Sequence, residues 1–161
     1  MDERNIIWID GFLYENENAK IHILTHSLHY GTAVFEGIRC YKTQKGLAIF
    51  RLEDHLKRLF ESAKIYFMNI EYSMKELEDA IINTIKKNGL DECYVRPLVY
   101  FGHGKMGVYP LNNKVSVPIV IGICTAPTAF FSSSTFSGAS LAPKSTVFSI
   151  NCFTPPPLPI D

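Results

Sequence analysis

The densest run of chemically able side chains is His26-Ser27-Leu28-His29-Tyr30-Gly31-Thr32, continuing through Phe35-Glu36-Gly37 to Arg39. It packs hydroxyl, imidazole, aromatic, glycine and guanidinium groups into what reads as a loop leading onto a strand, and loops held by rigid strands are where sites tend to lie. His26 and His29 are close enough to suggest a metal pair. No carboxylate or third ligand accompanies them at a helical interval, so no metal site is expected. A second cluster, Tyr94-Val95-Arg96, puts a phenol and a guanidinium two residues apart, on one face of a strand. That geometry suits a forked, charge-assisted grip on a carboxylate, with a rim ion pair as the alternative. Arg58 lies off the apolar stripe of a helix, and by residue type alone it reads as a solvated arginine.

The elements that must position these groups follow from periodicity. Ile6 to Ile9 and Phe12 to Tyr14 flank Asp10-Gly11, the signature of a hairpin with a type I′ turn. Ala33 to Tyr41 alternates in the strand sense, with Val34, Glu36, Ile38 and Cys40 on one face and Ala33, Phe35, Gly37 and Arg39 on the other. A purely structural strand seldom carries a carboxylate on one face and a guanidinium on the other, so at least one face is expected to look into a polar cleft or a partner. Leu47 to Phe50 can return as the next strand after a turn at Lys45-Gly46. Apolar residues at 52, 56, 59, 60, 63 and 67 make one helix face over Leu52 to Phe67, with Glu53 and Asp54 in its first turn, where the helix dipole favours anions. Ser73 and Glu76 form a capping box for a second helix, lined by Leu77, Ile81 and Ile85 and stopped at Gly89. Tyr94 to Phe101 and Val115 to Ile123 are strand-length runs. This order predicts an α+β fold, an antiparallel-rich sheet with two helices on one face.

Composition bounds the function. The 161 residues are 47% hydrophobic, enough for one ordinary globular core. With 16 basic and 16 acidic residues there is no basic field to attract nucleic acid or an anionic membrane. Neither a membrane-spanning apolar run nor a signal-peptide layout is seen, and the expectation is a soluble, cytoplasmic protein. The cysteines at 40, 93, 124 and 152 stand singly, without zinc-like spacing, and are expected to be reduced packed thiols.

The chain also changes character near Cys124. From Thr125 on, Lys144 and Asp161 are the only charged residues, and Ser, Thr and Pro dominate. Yet Phe130, Phe131, Phe136, Phe148 and Phe153 remain there, which is unlike a charged disordered tail. The expectation is a domain over 1–124 and a Ser/Thr/Pro-rich tail over 125–161 that is disordered or out of frame.

The segment from His26 to Tyr41, HSLHYGTAVFEGIRCY, resembles the signature of the branched-chain amino acid aminotransferases, pyridoxal-phosphate enzymes of fold type IV. The likeness continues through Phe50-Arg51-Leu52, His55, Arg58-Leu59, Ser62 to Tyr66, Tyr94-Val95-Arg96-Pro97-Leu98 and Gly104 to Val108. D-amino acid aminotransferases and aminodeoxychorismate lyases share the layout, but FEGIR together with YVRP is more similar to the branched-chain group. The resemblance implies transfer of an amino group between leucine, isoleucine or valine and 2-oxoglutarate or glutamate, with pyridoxal 5′-phosphate as cofactor. It assigns Arg58 to the cofactor phosphate, and Tyr30, Phe35 and Gly37 to the side-chain pocket. Tyr94 and Arg96 would receive the distal carboxylate of glutamate, so Arg96 must pair elsewhere when that pocket holds an apolar group. Met106, Gly107 and Val108 would reach the neighbouring subunit's site in a homodimer, an ordinary turn being the alternative.

Family members carry a second domain with the Schiff-base lysine, a glutamate for the pyridine nitrogen and backbone groups for the α-carboxylate. None is recognisable in this sequence, and Lys144, between Pro143 and Ser145, does not match the lysine's context. The expectation is therefore a frameshifted or truncated product that is inactive alone. The alternative is a non-catalytic dimerising or ligand-binding module of the same fold.

Overall fold

The computed structural model describes residues 5–44 and 46–122. The composition break, the tail over 125–161 and Lys144 lie outside the described residues.

The hairpin forms as its turn dictates. β1 (Ile6–Ile9) pairs with β2 (Phe12–Glu15), Ile9 opposite Phe12, and Asp10 and Gly11 both take positive φ, 48° and 95°. Asp10 tolerates that conformation because its carboxylate accepts from the backbone N–H of Val117 and the hydroxyl of Ser116, both at 2.7 Å. A short helix, α1 (His26–Tyr30), precedes β3 (Ala33–Phe35), β4 (Ile38–Thr43) and β5 (Gly46–Ile49). Then come α2 (Leu52–Ile65), α3 (Met74–Asn88), β6 (Cys93–Phe101), β7 (Val115–Ser116) and β8 (Pro118–Gly122). All pairings are antiparallel in the order β2-β1-β8-β6-β4-β5, with β3 and β7 also on β6. This is the expected α+β sheet.

The run from Ala33 to Tyr41 is two strands in one register rather than one strand. Phe35 opposes Leu98 and Ile38 opposes Val95, so Glu36 falls opposite Pro97. The N–H of Glu36 donates to the Pro97 carbonyl at 3.0 Å, but proline has no N–H to return the bond, and the ladder is interrupted there. The alternation of faces survives the break: Val34, Glu36, Ile38 and Cys40 are buried, while Phe35 and Arg39 are exposed.

Strand β6 alternates buried and half-buried residues over its whole length. Its buried side, Val95 and Val99, meets Leu56, Leu59, Ala63, Leu77, Ile81 and Ile85 of α2 and α3 in one core with Ile38, Ile119 and Ile121. Each such aliphatic side chain stabilises the fold by about 1.5–3 kcal/mol relative to exposure. The other side carries Tyr94, Arg96, Leu98 and Tyr100. Both helices are thus stacked on one face. The capping box is present, the Ser73 hydroxyl accepting from the N–H of Glu76 and the Glu76 carboxylate accepting from the N–H of Ser73. At the far end Asn88 exchanges two bonds with the backbone of Ile6, tying α3 to β1.

One boundary differs from the periodic reading. α2 ends at Ile65, and Phe67, expected on the apolar stripe, is exposed with φ 57°. Met68 takes the buried place instead, because its N–H returns to the carbonyl of Ala63 and closes the helix end.

Candidate functional site

The open face of the sheet holds the first group. Register places Tyr94 opposite Arg39 on β4 and opposite Gly122 on β8, in the middle of the sheet, with Arg96 two residues on. The Arg96 Nη2 donates to the Tyr94 hydroxyl at 2.9 Å, and its guanidinium lies over the Phe35 ring at 4.6 Å and the Tyr94 ring at 5.2 Å. Its Nε, by contrast, is buried and has no hydrogen-bond partner among the described residues. A buried donor on a cation is costly to leave unmatched.

Gly37 belongs to the same group. A Cβ there would fall inside van der Waals distance of the Tyr94 hydroxyl and 3.0 Å from its Cζ. The absent side chain is what lets the phenol lie between the strands and meet Arg96. Four of the sequence candidates, Phe35, Gly37, Tyr94 and Arg96, therefore converge.

A second group gathers at α1. Tyr30 stacks on His26 with ring centroids 4.4 Å apart, and His26 Nε2 is 2.8 Å from the Gly107 carbonyl. Buried His26 thereby joins Tyr30 to the Met106-Gly107-Val108 loop, a link that residue types alone do not reveal. His29 instead bonds the Ile23 carbonyl, so the two histidines serve different neighbours. The loop is braced by Asn113, whose Oδ1 accepts from the N–H of Lys105, while Met106 and Val108 are exposed, Val108 at 85%. Among the described residues no group of three or more His, Cys, Asp or Glu could hold a metal ion. No helix there is long and apolar enough to cross a membrane.

Arg58 stands on the opposite, helix-covered side of the sheet. It extends from α2 to Glu36, Nε to Oε1 at 2.6 Å and Nη2 to Oε2 at 2.7 Å, a bidentate grip. His55, one turn earlier, brings Nδ1 to 2.9 Å from Glu36 Oε2 and 3.0 Å from Arg58 Nη2. Burial pushes the Glu36 carboxyl up, but the bonds and charges of Arg58 and His55 outweigh it and hold the group below the usual carboxylate range. The Arg58 side chain is nonetheless 59% exposed. Residue type suggests a solvated arginine; the signal that it is anchored is Glu36, a carboxylate on the buried face of an apolar strand.

Comparison with known proteins places the chain in a family. The family model for class IV amino-transferases matches residues 33–135. A branched-chain-amino-acid aminotransferase of Pseudomonas aeruginosa is 46% identical over 118 residues, 73% of this chain and 38% of that protein. Among solved structures, the T.th. branched-chain amino acid aminotransferase complexed with N-(5′-phosphopyridoxyl)-L-glutamate superposes with TM-score 0.73 at 45% identity, covering 74% of this chain and 41% of that one. The Escherichia coli branched-chain amino acid aminotransferase gives 0.72 at 43% identity, covering 74% and 41%. The chain thus spans about two fifths of the length of these relatives. Because that family model covers more than half of the chain, this chain belongs to the class IV amino-transferase family.

Proposed function

We propose that this chain forms the N-terminal, recognition part of a cytoplasmic, pyridoxal 5′-phosphate-dependent branched-chain amino acid aminotransferase. The whole protein would exchange an amino group between leucine, isoleucine or valine and 2-oxoglutarate or glutamate. The observation that carries this reading is the Nε of Arg96, buried and unmatched among the described residues, beside the Tyr94 hydroxyl and the Phe35 ring. A distal carboxylate binds to this cation and phenol. When an apolar side chain enters instead, Arg96 rests on the Tyr94 hydroxyl and the Phe35 face, so one pocket serves both substrate classes. Tyr30 and Phe35 supply the aromatic wall, and Gly37 admits the phenol that completes it.

The residues present fit the phosphate end of the cofactor. Arg58 is a guanidinium whose orientation is fixed by Glu36 and whose side chain remains largely exposed, as a phosphate receptor requires. When bound, the cofactor supplies the electron sink for loss of the substrate's α-proton. The amine that carries it has no counterpart in this sequence, so the chain by itself recognises ligands without turnover. The exposed Met106-Gly107-Val108 loop, tied to Tyr30 through His26, supports pairing with a second copy across that loop.

Calorimetric titration of the full chain tests the reading with two probes, glutarate and 4-methylvalerate. Arg96→Lys, which keeps the charge but removes the fork, is expected to weaken glutarate about tenfold and 4-methylvalerate little. Equal loss for both ligands, or no glutarate binding by the unmodified chain, would refute it.

A further inference from the structure

We infer that Glu36 and His55 are positioning residues that fix the Arg58 guanidinium for an anionic phosphate ligand; this rests on the reading of Arg58 as the phosphate receptor. Glu36 is the buried member of the cluster, 7% exposed, and both its oxygens are used. Every other ion pair among the described residues joins groups at least 40% exposed, on helix surfaces or strand ends. Burying a carboxylate merely to join a helix to a strand is a poor way to stabilise a fold, since an apolar contact of the same volume does as well or better. What the ion pair does, and an apolar contact cannot, is hold a guanidinium by its Nε and Nη2 edge and set the plane of the group. An arginine on a largely exposed helix face is otherwise spread over many rotamers.

His55 completes the arrangement from below. It sits three residues before Arg58 on the same helix, and its Nδ1 lies within bonding distance of both the carboxylate and the guanidinium. With the proton on Nδ1 it donates to Glu36; with the proton on Nε2 it accepts from Arg58. Either form closes the triangle and opposes rotation of Arg58 about its last torsions.

Charge alone acts in the opposite direction. Replacing Glu36 by a neutral residue removes a negative charge near the receptor, which by itself would strengthen anion binding. Gln at this site cannot offer two acceptors, however, and its amide NH2 would confront a guanidinium donor. The two effects also differ in salt dependence: at roughly 0.5 M ionic strength the through-space effect at the exposed side of Arg58 is largely screened, whereas loss of orientation is not.

The experiment measures binding of pyridoxamine 5′-phosphate and of pyridoxamine, which lacks the phosphate, to the full chain at high salt by fluorescence, with Glu53→Gln, on the solvent side of α2, as control. Glu36→Gln is expected to lower the affinity for pyridoxamine 5′-phosphate about tenfold while leaving pyridoxamine unchanged, and Glu36→Asp to recover part of the loss. Retained or increased phosphate preference in a folded Glu36→Gln protein overturns the inference. If circular dichroism shows that variant to be unfolded, His55→Phe takes its place, with an expected loss of about threefold; an undiminished preference there overturns the inference equally. Absence of any phosphate preference in the unmodified chain would sink the receptor reading of Arg58 itself, a result distinct from failure of the positioning role.

Discussion

Replacing Gly37 by alanine tests the open-face site without any ligand. The new methyl would lie 3.0 Å from Tyr94 Cζ and 3.2 Å from Cε2, and closer still to the hydroxyl. Carbon atoms pack comfortably at about 3.5–4 Å, so the hydroxyl end of the ring must retreat by about 1 Å. The Arg96 Nη2 to Tyr94 bond, now 2.9 Å, then lengthens to about 4 Å and is lost. A bond to a charged group in a half-buried setting contributes about 1–2 kcal/mol, and the overpacking adds about 1 kcal/mol. The gain from a stiffer unfolded chain offsets about 0.5 kcal/mol of this. The expected cost is therefore about 2 kcal/mol, read as a urea midpoint lowered by about 1 M. A double-mutant cycle isolates the part played by the phenol. Tyr94→Phe removes the hydroxyl that both clashes with the methyl and accepts from Arg96, so in that background Gly37→Ala should cost about 1 kcal/mol or less. If the two changes add to within about 0.5 kcal/mol, the methyl does not act through the phenol and the account is wrong.

Three other outcomes follow from the fold. Because Glu36 titrates below its ordinary value in the folded protein, its pairing stabilises the fold fully above the unfolded value and is lost as the pH falls through the folded one. The urea midpoint of the native chain should therefore fall more steeply from pH 5 to pH 3 than that of Glu36→Gln; parallel slopes would contradict the pairing. Cys40 and Cys93 face each other across β4 and β6 in the core, and donating its S–H toward Cys93, together with burial, pushes the Cys40 thiol up. Peptide mapping after treatment with an alkylating reagent should find both unmodified in the native chain and labelled in 8 M urea, and native labelling would count against this packing. Ser73→Ala removes the hydroxyl half of the capping box and should cost about 1 kcal/mol in urea unfolding, with Ser73→Thr close to neutral.

Much of the fold is legible in the sequence because local rules agree with the tertiary structure. The Asp10-Gly11 turn, the Ser73 and Glu76 cap and the alternation through residues 33 to 41 each specify a backbone conformation from a few neighbours, and each is found. The helix α1 escapes a periodic reading because five residues are too few to show a period; what closes it is Gly31 in the left-handed region at φ 69°. The split of the strand at Glu36 depends on Pro97, a residue far along the chain that register alone brings opposite. The candidate site divides the same way. Tyr94 and Arg96 are readable as a pair because two-residue spacing puts them on one face. That Phe35 lies under Arg96, and that Glu36 and His55 enclose Arg58, depends on pairings between distant segments that no window of sequence contains.

The adjacency of Glu36 and Gly37 constrains how this segment can change over time. One peptide unit separates a residue that anchors a cation under the helices from one that admits a phenol on the open face. Substitutions at either position act on one side of the sheet only. A single residue inserted or deleted just before Glu36 acts on both at once, because it exchanges the faces of every residue beyond it and sends a carboxylate outward and Arg39 into the core. The segment should thus tolerate replacement far better than a change of length, whereas the exposed stretch from Asn16 to Lys20, outside any strand pairing, should accept both.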